Sequence, residues 1–192
     1  MSRATEIAAS RNRIFDTGLQ FALIVGATFI VALSARISVP LSGTPVPLSL
    51  VNFAVILVGL MLGSRRGFAV LALYLAEGAV GLPVFSPVGA PGILRFLGPT
   101  AGYLIAYPFV AALAGSLFER GKATFARAVL AAVSAEVLLF SCGISWLLVL
   151  THSLQKAIFL GLYWFVFAEV IKVMLAATAA SAWRRRFQQT NA

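Results

Sequence analysis

At 192 residues, 60% hydrophobic and 11% charged, with a mean hydropathy of +0.96, the chain is too apolar for a soluble domain and is sized for one integral membrane domain. A net charge of +9 could suit nucleic acid. The basic residues, however, sit at the ends of apolar runs, as the positive-inside rule places them, so the lipid bilayer and not nucleic acid is the expected partner. One cysteine, Cys142, and one histidine, His152, supply neither an intramolecular disulfide nor a metal cluster.

Residues 1–18 are polar, carry Arg3, Arg11 and Arg13, and read as a short cytoplasmic segment without a cleaved signal peptide. Six apolar runs follow at 19–39, 48–63, 68–82, 99–117, 126–151 and 157–182. They predict an all-α integral membrane protein, a bundle of six transmembrane helices spanning residues 19–183, with a basic cytoplasmic tail at 184–192. Three prolines (Pro40, Pro45, Pro47) mark a loop after the first run, and Ser64-Arg65-Arg66-Gly67 and Phe118-Glu119-Arg120-Gly121-Lys122 mark charged turns. Between the third and fourth runs, residues 78–103 concentrate glycine and proline around a single charge, Arg95. Such a segment resists regular helix, and at membrane depth it survives only against protein or a cavity. It is therefore expected to form the outer wall of a ligand pocket.

Apart from Lys172, the lysines and arginines divide very unevenly. One side holds Arg3, Arg11, Arg13, Arg65, Arg66, Arg120, Lys122, Arg127 and Arg184 to Arg186, and the other only Arg36, Arg95 and Lys156. This asymmetry places both termini in the cytoplasm of a multi-pass protein of the cell membrane.

Four ionisable residues interrupt the spans: Glu77, Glu136, Glu169 and Lys172. Each is costly in hydrocarbon and is expected to face the bundle interior with a partner. Counting from the inner arginines at about 1.5 Å per residue places Glu169 roughly 22 Å and Lys172 roughly 18 Å above the inner edge. Their spacing of three puts them on one helical face. The pair can bind a ligand, with Lys172 donating and Glu169 accepting, or can be a structural ion pair. Glu77 and Glu136 fall near mid-membrane and read as interhelical hydrogen-bonding groups. Asn52 and Tyr103 belong to the same outer half. Arg95 suits either a bidentate contact to a ligand carboxylate or a solvated position in a loop. Tyr74, Trp146, Tyr163 and Trp164 can wall a pocket or pack in the belt. On the first run, Ala22, Gly26, Thr28 and Ala32 form a small-residue stripe, compatible with close helix packing inside the bundle or with a partner.

No phosphate-binding loop, zinc-protease motif or serine elbow occurs in the chain. It is not expected to be an enzyme, although a membrane enzyme using Glu77, Glu136 or Glu169 as acid–base groups is the third reading considered. A transporter of this kind would draw its energy from a partner.

Several motifs carry a family resemblance: Val46-Pro47-Leu48-Ser49-Leu50, Leu62-Gly63-Ser64-Arg65-Arg66-Gly67, Leu73-Tyr74-Leu75-Ala76-Glu77-Gly78, Gly81-Leu82-Pro83-Val84-Phe85 and Gly98-Pro99-Thr100-Ala101-Gly102-Tyr103-Leu104. They resemble the BioY family, biotin-specific substrate-binding (S) components of energy-coupling factor transporters, over about residues 20–182. The resemblance implies biotin as ligand, six helices, a transmembrane coupling protein and two ATPase subunits. ATP would be used by those subunits, with no cofactor in this chain. It also implies a ligand role for the acid and lysine of the last helix, where the family's Asp-x-x-Lys reads Glu169-Val170-Ile171-Lys172 here. After Val-Pro the family's Thr-Leu-Gln-Thr reads Ser49-Leu50-Val51-Asn52. The first-helix stripe of Ala22, Gly26, Thr28 and Ala32 is the nearest match to the family's contact with the coupling protein. The expected ligand-binding set is Glu169, Lys172, Asn52, Phe85, Ser86, Arg95, Gly98 and Tyr103. An S component or solo carrier for another small vitamin-like solute is the alternative.

Overall fold

The computed structural model describes residues 3–190 of the chain, with side chains over 18–186. Arg3, Arg11 and Arg13 lie outside the described side chains. The order of elements is α1 (Arg3–Arg36), β1 (Ser38–Leu41), β2 (Thr44–Ser49), α2 (Val51–Leu62), α3 (Ser64–Ala79), a 3-10 helix (Gly92–Leu97), α4 (Ala101–Glu119), α5 (Phe125–Thr151), α6 (Leu154–Ile158), a π-helical turn (Phe159–Tyr163) and α7 (Val166–Thr190). The fold is mostly helical. Among the described residues, four helical stretches are long and apolar enough to cross a membrane: Gly18–Arg36, Ala101–Glu119, Phe125–Thr151 and Val166–Arg186. Helices α2 and α3, of 12 and 16 residues, match the second and third expected runs but are shorter than those four.

The structure corrects the sequence reading in three places. First, the proline-marked loop is an antiparallel β-hairpin, with Val39 opposite Leu48 and Leu41 opposite Thr44, so the chain is not purely α-helical. A two-stranded ribbon tolerates Pro40, Pro45 and Pro47 because each strand has an unpaired edge that needs no donor. Second, the basic turn at 64–67 is the first turn of α3. The reversal itself is at Gly63, whose φ of +85° suits glycine, and the Ser64 amide donates to Glu119 Oε2 at 3.3 Å.

Third, the run expected as one span at 157–182 is broken. The π-helical turn leaves carbonyls without their usual partners, and two hydroxyls from elsewhere take them. Thr44 Oγ1 donates to the Leu160 carbonyl at 2.6 Å, and the Tyr103 hydroxyl donates to the Gly161 carbonyl at 2.8 Å. Such an interruption is stable only where side chains satisfy the freed groups.

Helix α4 is the hub, packed against α2, α3 and α5. Its approach to α2 is close enough that a Cβ on Gly59 would lie 2.3 Å from the Ala111 carbonyl oxygen. The buried core runs through Val55, Ile56, Leu60, Val70, Leu71, Val110 and Phe118. By contrast Phe21, Phe29, Ile30, Phe109, Val137 and Phe167 are exposed, so the bundle turns large apolar side chains outward, as a surface toward lipid requires.

Candidate functional site

The loop over residues 80–100 closes one end of the bundle, and Arg95 holds it in shape. The residue is 5% exposed, and its guanidinium donates through Nη2 to the Ser86 carbonyl at 2.6 Å and through Nη1 to the Val88 carbonyl. The loop is also fixed to its surroundings. Ser86 Oγ donates to Ser38 Oγ at 2.8 Å, tying it to β1. Arg36 donates to the Pro83 carbonyl, tying it to the end of α1. Phe85 turns inward, edge-on to Tyr74 at 5.4 Å and to Phe96 at 5.8 Å. Gly78 makes room for that ring, since a Cβ there would lie 2.1 Å from Phe85 Cζ.

Beneath the loop lies a cavity of about 580 Å³, its mouth included. Much of its wall is apolar or aromatic, from Val46, Val51, Tyr74, Phe85, Leu104 and Phe165, with Asn52, Ser86, Arg95, Tyr103, Tyr107 and Glu169 contributing polar atoms. A largely apolar chamber with a few converging polar groups is the usual form of a small-molecule site.

The polar groups form one network. Lys172 Nζ lies 2.8 Å from Glu169 Oε1 and 2.7 Å from the Ser49 carbonyl. Asn52 Nδ2 donates to the same Glu169 Oε1 at 3.1 Å, and the Tyr107 hydroxyl donates to Asn52 Oδ1 at 3.0 Å. Helices α2, α4 and α7 and the end of β2 are thus joined around one carboxylate. Glu169 and Lys172 are 4% and 8% exposed, so each charge depends on the other. At Arg95, burial lowers the pKa from its ordinary value, with Tyr74 and Tyr107 acting in the opposite sense. The guanidinium remains charged, because the ordinary value lies so far above neutrality.

Of the expected ligand-binding set, Asn52, Phe85, Ser86, Arg95, Tyr103 and Glu169 line this one cavity. Two do not. Lys172 sits against Glu169 and the Ser49 carbonyl and is absent from the cavity wall. Gly98 is also absent from the wall; its carbonyl accepts from Trp146 Nε1 at 2.9 Å, which pins the base of the loop to α5. Tyr107 was missed, although it follows Tyr103 by four residues and so shares its face of α4. The contribution of the Ser49 carbonyl has no sequence signal, since it depends on the path of the hairpin. Tyr163 and Trp164 are 67% and 40% exposed; Tyr163 stacks on Phe159 and Trp164 meets that ring edge-on.

The small-residue stripe on α1 is not uniform. Ala22 and Gly26 are exposed and Ala32 is half-buried, but Thr28 faces inward, where its hydroxyl meets Glu77 Oε1 at 3.2 Å. Thr28 is therefore a contact to α3 and not part of a free surface.

Comparison with known proteins gives a consistent picture. The model of the BioY family matches residues 8–189. The "Probable biotin transporter BioY" of Pyrococcus horikoshii is 35% identical over 154 residues, 80% of this chain and 90% of that protein. The "Biotin transporter BioY" of Thermotoga maritima is 35% identical over 153 residues, 80% of this chain and 88% of that protein. The crystal structure of the S-component for biotin from an ECF-type ABC transporter superposes with a TM-score of 0.79 at 21% identity, covering 96% of this chain and 95% of that one. Its fold is shared from end to end. With its family model spanning nearly the whole sequence, the chain belongs to the BioY family.

Proposed function

We propose that this chain captures biotin within the cytoplasmic membrane, as the S component of an energy-coupling factor transporter. The observation that carries the reading is the Glu169 carboxylate, held by Lys172 and Asn52 at the wall of an apolar cavity. Biotin carries a ureido group with two N–H donors and one carbonyl, an apolar fused ring and a valerate carboxylate. Glu169 accepts from the ureido N–H groups, and the aromatic wall of Tyr74, Phe85, Tyr103 and Phe165 covers the ring. Arg95, charged and desolvated under the loop, receives the carboxylate. Lys172 acts through Glu169, by keeping it ionised and aimed.

In this reading α1, α2, α3, α4, α5 and the α6–α7 pair make six spans with both termini in the cytoplasm. Transport is driven by a transmembrane coupling protein and two ATPases, which use the ATP; the chain itself carries no cofactor. Ala22 and Gly26, exposed on α1, with half-buried Ala32 beside them, contribute to contact with the coupling protein. Calorimetric titration of the purified chain with biotin tests the function. Tight binding without ATP is expected, and no heat from biotin at high protein concentration would defeat the proposal.

One observation favours a second reading, an S component or solo carrier for a different vitamin-like solute. Val51 lines the cavity where the family resemblance implies a glutamine, which removes a hydrogen-bonding group. Competition of labelled biotin by a panel of water-soluble vitamins separates the two readings. Displacement by a second vitamin at lower concentration than biotin itself would favour the alternative.

A further inference from the structure

A crevice of about 1400 Å³, its open mouth included, lies between α5 and the segment running through α6 to α7. Its rim is apolar and exposed, with Val133, Val137, Val166, Val170 and Met174 all more than 40% accessible. Its lining includes two carboxyls, Glu136 from α5 and Glu169 from α7. Glu169 therefore stands between two spaces, the ligand cavity on one side and this crevice on the other.

The hydrogen-bond accounting at this point is incomplete. Every donor in the Glu169 network is directed at Oε1: Asn52 Nδ2 and Lys172 Nζ both end there. Glu169 Oε2 and both oxygens of Glu136 are buried without a partner among the described residues. Glu136 is 7% exposed. Three buried carboxylate oxygens on one crevice without a donor do not persist ionised in an apolar setting. The charge balance has the same defect, because Lys172, the one cation paired with either carboxyl among the described residues, already neutralises Glu169. The other polar groups around the pair are Tyr107 of α4, which donates to Asn52, Tyr103 of α4, which donates to the Gly161 carbonyl, Asn52 of α2, which donates to Glu169, and Ser141 and Ser145 of α5, the former donating to the Val137 carbonyl. None of these supplies a positive charge. One proton on Glu136 resolves both defects. It removes the uncompensated charge and provides the donor that Glu169 Oε2 lacks.

We propose that Glu136 is a proton-binding site reached from the lipid through the α5–α7 crevice, its neutral carboxyl donating a hydrogen bond to Glu169 Oε2. The bond clips α5 to α7 across the crevice and completes the support of the ligand-facing carboxylate. It is independent of which solute the cavity accepts.

Dicyclohexylcarbodiimide, an apolar reagent that partitions into bilayers, tests the assignment on the intact chain in lipid vesicles. It reacts with carboxylic acids that are protonated and lipid-accessible. The acid proton passes to one carbodiimide nitrogen while a carboxyl oxygen bonds to the central carbon, and transfer of the acyl group to nitrogen leaves a stable N-acylurea. Peptide mass spectrometry should find the adduct on Glu136 at neutral pH, declining as pH rises, and lost in Glu136→Gln. An infrared band of a protonated carboxyl C=O, present in the wild type and missing from Glu136→Gln, should accompany it. The proposal is overturned if Glu136 stays unmodified at neutral and acidic pH, if the adduct falls on Glu169 instead, or if a water-soluble carbodiimide labels Glu136 as readily. Biotin titration of the same vesicles reads the ligand function separately, so failure of one assignment is distinguishable from failure of the other.

Discussion

Replacing Lys172 by methionine separates a ligand-binding role from a purely structural ion pair. The side chain keeps its length and loses its charge, along with the 2.8 Å contact to Glu169 and the 2.7 Å bond to the Ser49 carbonyl. Glu169 is then a buried carboxylate without its cation, a change that costs about 3–5 kcal/mol when one partner of a buried pair is removed. The double variant Lys172→Met/Glu169→Gln removes both charges while nearly preserving volume, and stability should return to within about 1 kcal/mol of the wild type. Binding should behave differently. A charge-assisted hydrogen bond to the ligand is worth about 1.5–3 kcal/mol, so biotin affinity should fall by roughly ten- to a hundredfold in the double variant. Thermal unfolding followed by tryptophan fluorescence reads the stability, and calorimetry reads the affinity. Stability and affinity recovering together in the double variant would refute the ligand role of Glu169 and leave a structural pair.

Three further substitutions test the packing around the cavity. Tyr103→Phe removes the bond that holds the Gly161 carbonyl, and should destabilise the chain by about 1 kcal/mol with faster amide hydrogen exchange confined to the π-helical turn. Gly78→Ala places a methyl 2.1 Å from Phe85 Cζ, so the ring must leave its pocket; ligand dissociation should accelerate in stopped-flow measurements while the unfolding temperature changes little. Gly59→Ala forces a Cβ against the Ala111 carbonyl at 2.3 Å, separating α2 from α4, and should cost about 1–3 kcal/mol, detected as a lower unfolding temperature.

The helices were legible because apolar length carries the signal, and the runs at 99–117 and 126–151 lie within two residues of α4 and α5 at each end. Depth counting from the inner arginines was informative for the same reason. A helix is a ruler with a fixed rise, so Asn52 and Glu169, 117 residues apart in the chain, could be assigned one level, and they meet at 3.1 Å. The ruler fails where the backbone stops being helical. The hairpin at Ser38–Ser49 was hidden because prolines argue against strands except at edges. The break before α7 was hidden because its cause lies outside the segment, in the hydroxyls of Thr44 and Tyr103. The misplacement of Gly98 has a related origin. A glycine beside a pocket can serve by approaching ligand or by exposing a carbonyl, and only the position of Trp146 shows that its carbonyl is engaged.

The extra methylene of Glu169, where the family resemblance implies aspartate, fits the way this bundle is assembled. An acid on α7 must reach Asn52 on α2 and also stay within 2.8 Å of Lys172 on its own helix. A side chain shorter by one carbon–carbon bond, about 1.5 Å, could not hold both contacts with the helices where they stand. The longer acid also lines the crevice that Glu136 of α5 lines, where the proposed carboxyl hydrogen bond would form. The change at 169 is thus more than a conservative exchange in the cavity wall. It extends the ligand-facing network from α2 and α4 through α7 to α5, and makes the protonation of one helix a structural condition for the position of the carboxylate on another.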